Sequence, residues 1–201
     1  LLPGMLISRP ASAELLRILH TNDIHSHLDS FQSVTGDTVG GLARLATLVE
    51  AQRQDMSACL LLDGGDLFQG TPYFNYFQGA AEIRCLSAMA YDAMVLGNHE
   101  LDKGPFHLWK QMHDHARFPL LGSNVEVKSW IKTDPIDMSY SSWVPLGRSF
   151  VLSRAGNLRV GLIGVTTEDI PMIVPAGQLD NLRVQPIIDT VRRLMPDLRP
   201  R

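Results

Sequence analysis

Apolar residues recur along the chain in short runs, and each of the first runs ends in a polar, glycine-containing island. Leu15-Leu16-Arg17-Ile18-Leu19 predicts a buried strand feeding His20-Thr21-Asn22-Asp23. Ser30 to Gly40 is polar and contains glycine, and predicts a loop. Leu42, Leu45, Ala46 and Val49 recur at helical spacing and predict a helix to about Arg53. Ala58 to Leu62 predicts a second buried strand, ended by Asp63-Gly64-Gly65-Asp66. After a turn around Gly70, Thr71 and Pro72, the spacing of Phe77, Ala81, Ile83, Leu86 and Met89 predicts a second helix. Ala93-Met94-Val95-Leu96 predicts a third strand, ended by Gly97. Pro105 stands at the start of a further helix, a position that proline tolerates, and that helix runs to about Ala116. Pro119-Leu120-Leu121-Gly122 predicts a fourth strand.

Strand and helix thus alternate three times before another strand, which argues for a mostly parallel sheet with right-handed helical crossovers. The pattern then changes. Phe150 to Ser153 and Leu158 to Ile163 flank Ala155-Gly156-Asn157 and predict a β-hairpin. Ile187 to Leu198 predicts a last helix with one apolar stripe, broken by Pro196. Asn124 to Tyr140 has no assignable pattern, and neither an internal repeat nor a low-complexity tract is present.

Composition narrows the class. The 201 residues are 45% hydrophobic and 19% charged with a formal net charge of −3, the make-up of a soluble globular chain. That length allows one domain, or one domain and a fragment. No basic excess points to a nucleic-acid polymer as partner. No stretch approaches the roughly 20 apolar residues of a membrane span. Leu1 to Ile7 is mostly apolar, and Ala11-Ser12-Ala13 has the small-x-small form of a signal-peptidase site, so residues 1–13 read as an export-signal remnant or leader. Cys59 and Cys85 fall in a predicted strand and a predicted helix, and read as two buried free thiols. Their spacing is not that of a zinc knuckle.

The candidate chemistry lies in three islands: Asp23-Ile24-His25, Gly65-Asp66 and Gly97-Asn98-His99-Glu100. Each follows a predicted strand, and ligands of α/β sheets sit beyond the carboxyl ends of strands. Asp23, His25, Asp66 and Asn98 therefore meet at one rim. Carboxylates and imidazoles converging there repel or take up protons unless a cation joins them. A two-metal site needs a bridging carboxylate between ions ~3.5–4 Å apart. Asp66, from the middle island, is the natural bridge. Asp23 and His25 chelate one ion from one turn, and Asn98 offers a neutral oxygen to the other. Oxygen and nitrogen donors without thiolate fit Zn, Mn, Fe or Co rather than a structural zinc. His99 follows Asn98 directly and points elsewhere, toward a substrate to which it donates a proton or hydrogen bond. Asp102, three residues on, orients His99. Asp63 caps a turn through its own backbone, and Asp29 and Glu100 have no assigned part.

Taken singly these signals are weak, since Asp-x-His is mostly a turn; their joint occurrence in order carries the reading. His113-Asp114-His115 reads as a solvated helix end that complements the helix dipole. His20 reads as a packed histidine, and His27 and His107 have no assigned role. Tyr73, Phe74, Tyr76 and Phe77 read as loop and core packing rather than as a base-stacking platform.

Thr21-Asn22-Asp23-Ile24-His25, Gly64-Gly65-Asp66 and Gly97-Asn98-His99-Glu100-Leu101-Asp102 resemble the first three blocks of the calcineurin-like metallophosphoesterases, in the 5′-nucleotidase and UDP-sugar hydrolase branch. Gly40-Gly41-Leu42-Ala43-Arg44, Asp66-Leu67-Phe68-Gln69-Gly70-Thr71, Tyr91-Asp92-Ala93 and Val160-Gly161-Leu162-Ile163-Gly164 agree, so the resemblance covers nearly all of Leu15 to Leu198. It implies an α/β fold, the metallophosphatase-type β-sandwich flanked by helices (α/β/β/α). It implies two divalent metal ions, Mn, Zn or similar: Asp23 and His25 on the first, Asp66 bridging, Asn98 on the second. His99 and Asp102 are then the catalytic pair, Asn98 and His99 touch the substrate, and metal-bound water attacks phosphorus with His99 assisting. The substrate implied is a nucleotide or related phosphoester, and the location periplasmic or secreted.

The family's later blocks, which carry one further metal-binding histidine and a Gly-His-x-His segment, do not occur here, nor does its C-terminal nucleotide-specificity domain. Residues 14–201 thus read as the N-terminal part of a metallophosphatase domain, truncated before its later strands. Such a piece is impaired or inactive alone and self-associates through exposed strand edges. The alternatives are a non-catalytic metal- or partner-binding fragment, or a sibling hydrolase such as a 2′,3′-cyclic phosphodiesterase.

Overall fold

The apolar runs pair side by side in the computed structural model, which describes residues 15–54, 56, 58–128, 143–179 and 181–198. The first unit is strand β1 (Arg17–Thr21), a small hairpin of β2 (Ser30–Gln32) and β3 (Thr38–Gly40), helix α1 (Leu42–Gln54) and strand β4 (Cys59–Asp63). Helices α2 (Pro72–Phe77) and α3 (Ala80–Ala88) lead to β5 (Ala93–Val95), and α4 (Pro105–His115) leads to β6 (Leu120–Leu121). Then follow β7 (Val125–Lys128), β8 (Trp143–Pro145), the β9 (Val151–Ala155) and β10 (Leu158–Leu162) hairpin, α5 (Ile170–Ile173), β11 (Leu182–Val184) and α6 (Ile187–Leu198).

The main sheet has the order β1-β4-β5-β6. All three pairings are parallel, with Leu19 opposite Leu61, Leu62 opposite Ala93 and Val95 opposite Leu121. Parallel neighbours require crossovers, and α1, the α2–α3 pair and α4 supply them. One face of the sheet packs Leu61, Met94, Leu96 and Leu120 against Val49 of α1, Ile83 and Leu86 of α3 and Leu108 of α4. On the other, Ala58 and Leu60 meet Ala155, Leu158, Val160 and Leu162 of the β9–β10 hairpin. A second sheet, β11-β7-β8, is antiparallel. The chain is therefore mixed α/β, with a parallel sheet between helices and β structure.

Several elements differ from the sequence reading. Residues 30–40 form the β2–β3 hairpin rather than a loop; its strands are three residues each and largely exposed, so no apolar alternation announces them. The helix drawn through Phe77 and Met89 is two helices, because Gln78 and Gly79 both take positive φ (54° and 100°). A Cβ on Gly79 would sit 2.4 Å from the Phe68 ring, so this break is also a packing requirement. Among the described residues strand β1 stands at the edge of its sheet, and its residues alternate rather than being buried throughout: Ile18 and His20 face outward, and His20 is exposed rather than packed. Pro196 lies inside α6, which runs to Leu198, so its missing N–H is confined to the last turn. β7 lies in the region without assignable pattern; residues 129–140 of that region are outside those described, as is the leader reading for 1–13. Cys59 and Cys85 are free thiols, half-buried rather than buried.

Candidate functional site

Three strand ends build the site. After β1 the chain runs beside the segment that follows β4, held by Gly64 N–H to the Thr21 carbonyl (2.7 Å), Asp23 N–H to Gly65 (3.0 Å), His25 N–H to Asp66 (3.1 Å) and Ser26 N–H to Leu67 (2.9 Å). Asp23, His25, Ser26 and Asp66 all take the left-handed backbone conformation, with φ between 47° and 54°. Such backbone costs free energy in non-glycine residues and persists only where the surroundings impose it. Here it turns the Asp23, His25 and Asp66 side chains to one rim. The third island comes close because it and its neighbour lack side chains at two points. A Cβ on Gly65 would lie 2.6 Å from Gly97 N, and one on Gly97 would lie 2.3 Å from both the N and Oδ1 of Asp66.

The side chains converge as follows. Ring nitrogens of His25 and His99 and a carboxylate oxygen of Asp66 lie within 4.8 Å of one another, close enough to hold a metal ion. The two imidazoles meet edge to face, centroids 5.1 Å apart. Asp23 Oδ1 lies 3.7 Å from His25 Nε2, and Asp23 also accepts from the Asn22 amide. Asp66 Oδ1 accepts from the His99 backbone N–H at 3.0 Å. The Asn98 amide packs against Asp66: its NH₂ donates to Asp66 Oδ2 at 3.1 Å and its oxygen accepts from the His99 backbone N–H at 3.2 Å. His99 Nδ1 is 2.9 Å from Asp102 Oδ2, and the Gln69 amide donates to the same oxygen at 3.2 Å. The half-buried His99–Asp102 pair thereby leaves His99 Nε2 free for another partner.

Carboxylates and imidazoles at the carboxyl rim of a parallel sheet suit a metal and a phosphoryl group. The calcineurin-like phosphoesterase family model matches residues 16–182. The chain belongs to the calcineurin-like phosphoesterases. It is 35% identical over 176 residues to the snake venom 5′-nucleotidase of Gloydius brevicauda, covering 85% of this chain and 29% of that protein. It is 34% identical over 202 aligned positions to the 5′-nucleotidase of Homo sapiens, covering 95% and 34%. The crystal structure of the 5′-nucleotidase precursor from Thermus thermophilus superposes with a TM-score of 0.76 at 31% identity, covering 90% of this chain and 35% of that one. The chain thus spans about a third of the length of these relatives.

Within this phosphoesterase domain, the largest omission from the sequence reading is Glu100. Its side chain is fully buried. Oε2 accepts the backbone N–H groups of Asp66 (2.9 Å) and Gly97 (2.8 Å), and Oε1 those of Leu67 (2.8 Å) and Phe68 (3.1 Å). Burial pushes its carboxyl up to about 7, against the pull of those donors. Nothing local marks a glutamate beside a histidine for burial. Glu82 of α3 is a second omission, buried and accepting from Ser26 Oγ at 2.7 Å. Asp63 does cap a turn, taking Gly65 N–H at 2.9 Å. It also accepts from Thr21 Oγ1 at 2.6 Å, and Thr21 in turn meets the Tyr91 hydroxyl at 2.8 Å. Burial pushes the Asp63 carboxyl up to about 6.

Residues outside the rim sort as follows. His113 and Asp114 form an exposed cluster with Lys110 on the last turns of α4, away from the three islands in sequence and in contacts. His107 Nε2 meets the Gln78 carbonyl at 2.9 Å, and His27 is exposed. Phe74 packs in the core as read and Tyr73 donates to Asp29 at 2.5 Å, but Tyr76 and Phe77 are exposed.

Proposed function

We propose that the chain is the metal-binding N-terminal part of a phosphoester hydrolase of the 5′-nucleotidase type, acting on a nucleotide or related phosphoester. The observation that carries this reading is the convergence of His25, Asp66 and His99, with the Asn98 amide beside Asp66. The donor set is oxygen and nitrogen without thiolate, which fits a pair of ions such as Mn or Zn. Asp23 and His25 would hold one, Asp66 would bridge and Asn98 would hold the other. Bound there, such ions supply Lewis-acid stabilisation of phosphoryl charge and an activated water.

The chain's own residues do the rest. Asp102 fixes the His99 ring and places the proton on Nδ1 in the neutral form. Nε2 then faces the rim and, when protonated, donates to a phosphoryl or leaving oxygen. Asn98 and His99 are the substrate contacts. The domain boundary is proposed at residue 14. Residues 1–13 have the form of an export leader, which agrees with a periplasmic or secreted site; the similar Gloydius protein is a venom 5′-nucleotidase and the Thermus one a precursor. No helix among the described residues is long and apolar enough to cross a membrane.

The 201 residues contain no Gly-His-x-His segment, so metal binding by them alone is proposed to be weak and hydrolysis slight. Among the described residues strand β1 has only β4 as partner in its sheet, and Ile18 on it is 53% exposed, which supports self-association through that edge. Light scattering over a concentration series tests this; a monomer throughout overturns it. The functional reading is tested by titrating Mn²⁺ and Zn²⁺ while following the resonances of His25, Asn98 and His99, and by phosphate release from AMP. Weak, site-localised broadening abolished by Asp66→Asn is expected. Broadening elsewhere overturns the site, and tight binding of two ions overturns the weak-binding part.

A further inference from the structure

Glu100 has no place in the chemistry just proposed, yet it touches more of the site's main chain than any candidate ligand. A carboxylate offers about four lone-pair sites. All are engaged: by Asp66 and Gly97 on Oε2, by Leu67 and Phe68 on Oε1. Glu100 therefore has no capacity left to ligate a cation, and its complete burial turns it away from the rim. What its bonds do is join two loops. Three of the donors follow β4 and the fourth follows β5.

The joint is reciprocal. The Glu100 carboxylate takes the Asp66 N–H, and the Asp66 carboxylate takes the His99 N–H. Gly97 completes it, since a Cβ there would lie 2.7 Å from Glu100 Oε2. The spacing of Asp66 from Asn98 and His99 is therefore set by a buried group that touches none of their side chains.

We propose that Glu100 is a positioning residue: its carboxylate clamps the Asp66 loop to the Gly97–His99 loop and presets the donors of the candidate metal centre. This rests on the metal-binding reading above. A merely structural role would lower stability without singling out the site. A positioning role moves metal affinity beyond what lost stability explains, as partners that orient metal ligands do, by about 10- to 100-fold.

The test uses the whole 201-residue protein and Glu100→Gln, which keeps the shape but turns an NH₂ toward backbone donors. Val127→Ala, in the core of the second sheet, is the control for lost stability alone. Amide hydrogen exchange, without metal, is read at Asp66, Leu67, Phe68 and Gly97 against the ladder amides Met94 and Leu96. Manganese affinity is read from relaxation of the His25 and His99 resonances. Glu100→Gln is expected to speed exchange at the four amides selectively and to weaken Mn²⁺ binding about tenfold or more; Val127→Ala is expected to do neither. Should Glu100→Gln not fold, Glu100→Asp, whose carboxylate falls short of both loops, is read in the same way. Wild-type exchange at the four amides, or Mn²⁺ affinity within about twofold of wild type, overturns the proposal. If the wild-type protein shows no response to Mn²⁺, the metal reading fails, and the exchange measurement alone decides whether Glu100 clamps the loops.

Discussion

Asp66 and Gly97 lie in contact along their backbones: a side-chain carbon on Gly97 would fall 2.3 Å from Asp66 N and equally close to Asp66 Oδ1. The residue proposed to bridge two cations is thus packed against a neighbouring loop by the absence of a side chain. The Gly97 N–H, in the same place, is taken by Glu100.

Gly97→Ala should accordingly force the loops apart. The obstacles are the Asp66 backbone nitrogen, the Asp66 carboxylate held by the His99 N–H, and the buried Glu100 carboxylate. The expected loss is about 2–4 kcal/mol of unfolding free energy, measured by urea denaturation without metal. A loss below about 1 kcal/mol would show that the loops yield more easily than their contacts indicate.

The buried Asp63 predicts a pH effect. Its folded carboxyl titrates at about 6, above the ordinary 3.8, with burial the main cause. Between those values the folded protein holds a proton that the unfolded chain has released. The group's contribution is thus fully present below about 4 and is lost as pH rises through 6. The shift corresponds to roughly 3 kcal/mol. Asp63→Asn should remove this slope while keeping the fold: the amide oxygen still accepts from Gly65, and its NH₂ donates to Thr21, whose hydroxyl then turns to Tyr91. Urea denaturation of both proteins at pH 4 and pH 7 checks it, and equal pH dependence in the two would refute it.

Metal addition should stabilise the fold by mass action. At about 100 times its dissociation constant, Mn²⁺ adds about 2.7 kcal/mol. For a domain of this size that is a rise of about 5–10 °C in thermal midpoint. The rise should vanish with EDTA and be strongly reduced in Asp66→Asn. Thermal scans of the two proteins with and without Mn²⁺ decide it, and an unchanged rise in Asp66→Asn moves the ion elsewhere.

The break between α2 and α3 makes a separate prediction. Gly79 has φ 100° and its Cβ position lies 2.4 Å from the fully buried Phe68 ring. Gly79→Ala is expected to cost about 2–4 kcal/mol. Mn²⁺ titration of the variant should match wild type wherever the protein is folded. A near-neutral result by urea denaturation would mean that the Phe68 ring has room to move.

The order of strands and helices was legible in the sequence because hydrophobic periodicity is a local property. The helices from Leu42 to about Arg53 and from Pro105 to about Ala116 were read nearly to their ends, and the parallel sheet followed from their alternation with strands. The candidate donors could be proposed from the sequence for a related reason: Asp23, His25, Asp66 and Asn98 each follow a strand, and parallel strands end on one side. Other features depend on neighbours distant in the chain. Glu100 meets backbone groups 32 to 34 residues away. The Gln78–Gly79 break answers to the ring of Phe68, and His20 is exposed because β1 is at a sheet edge. Residue type and local order therefore determined which side chains could be proposed for the chemistry. Burial and long-range hydrogen bonding, which exist only once the loops have packed, decided how those side chains are held.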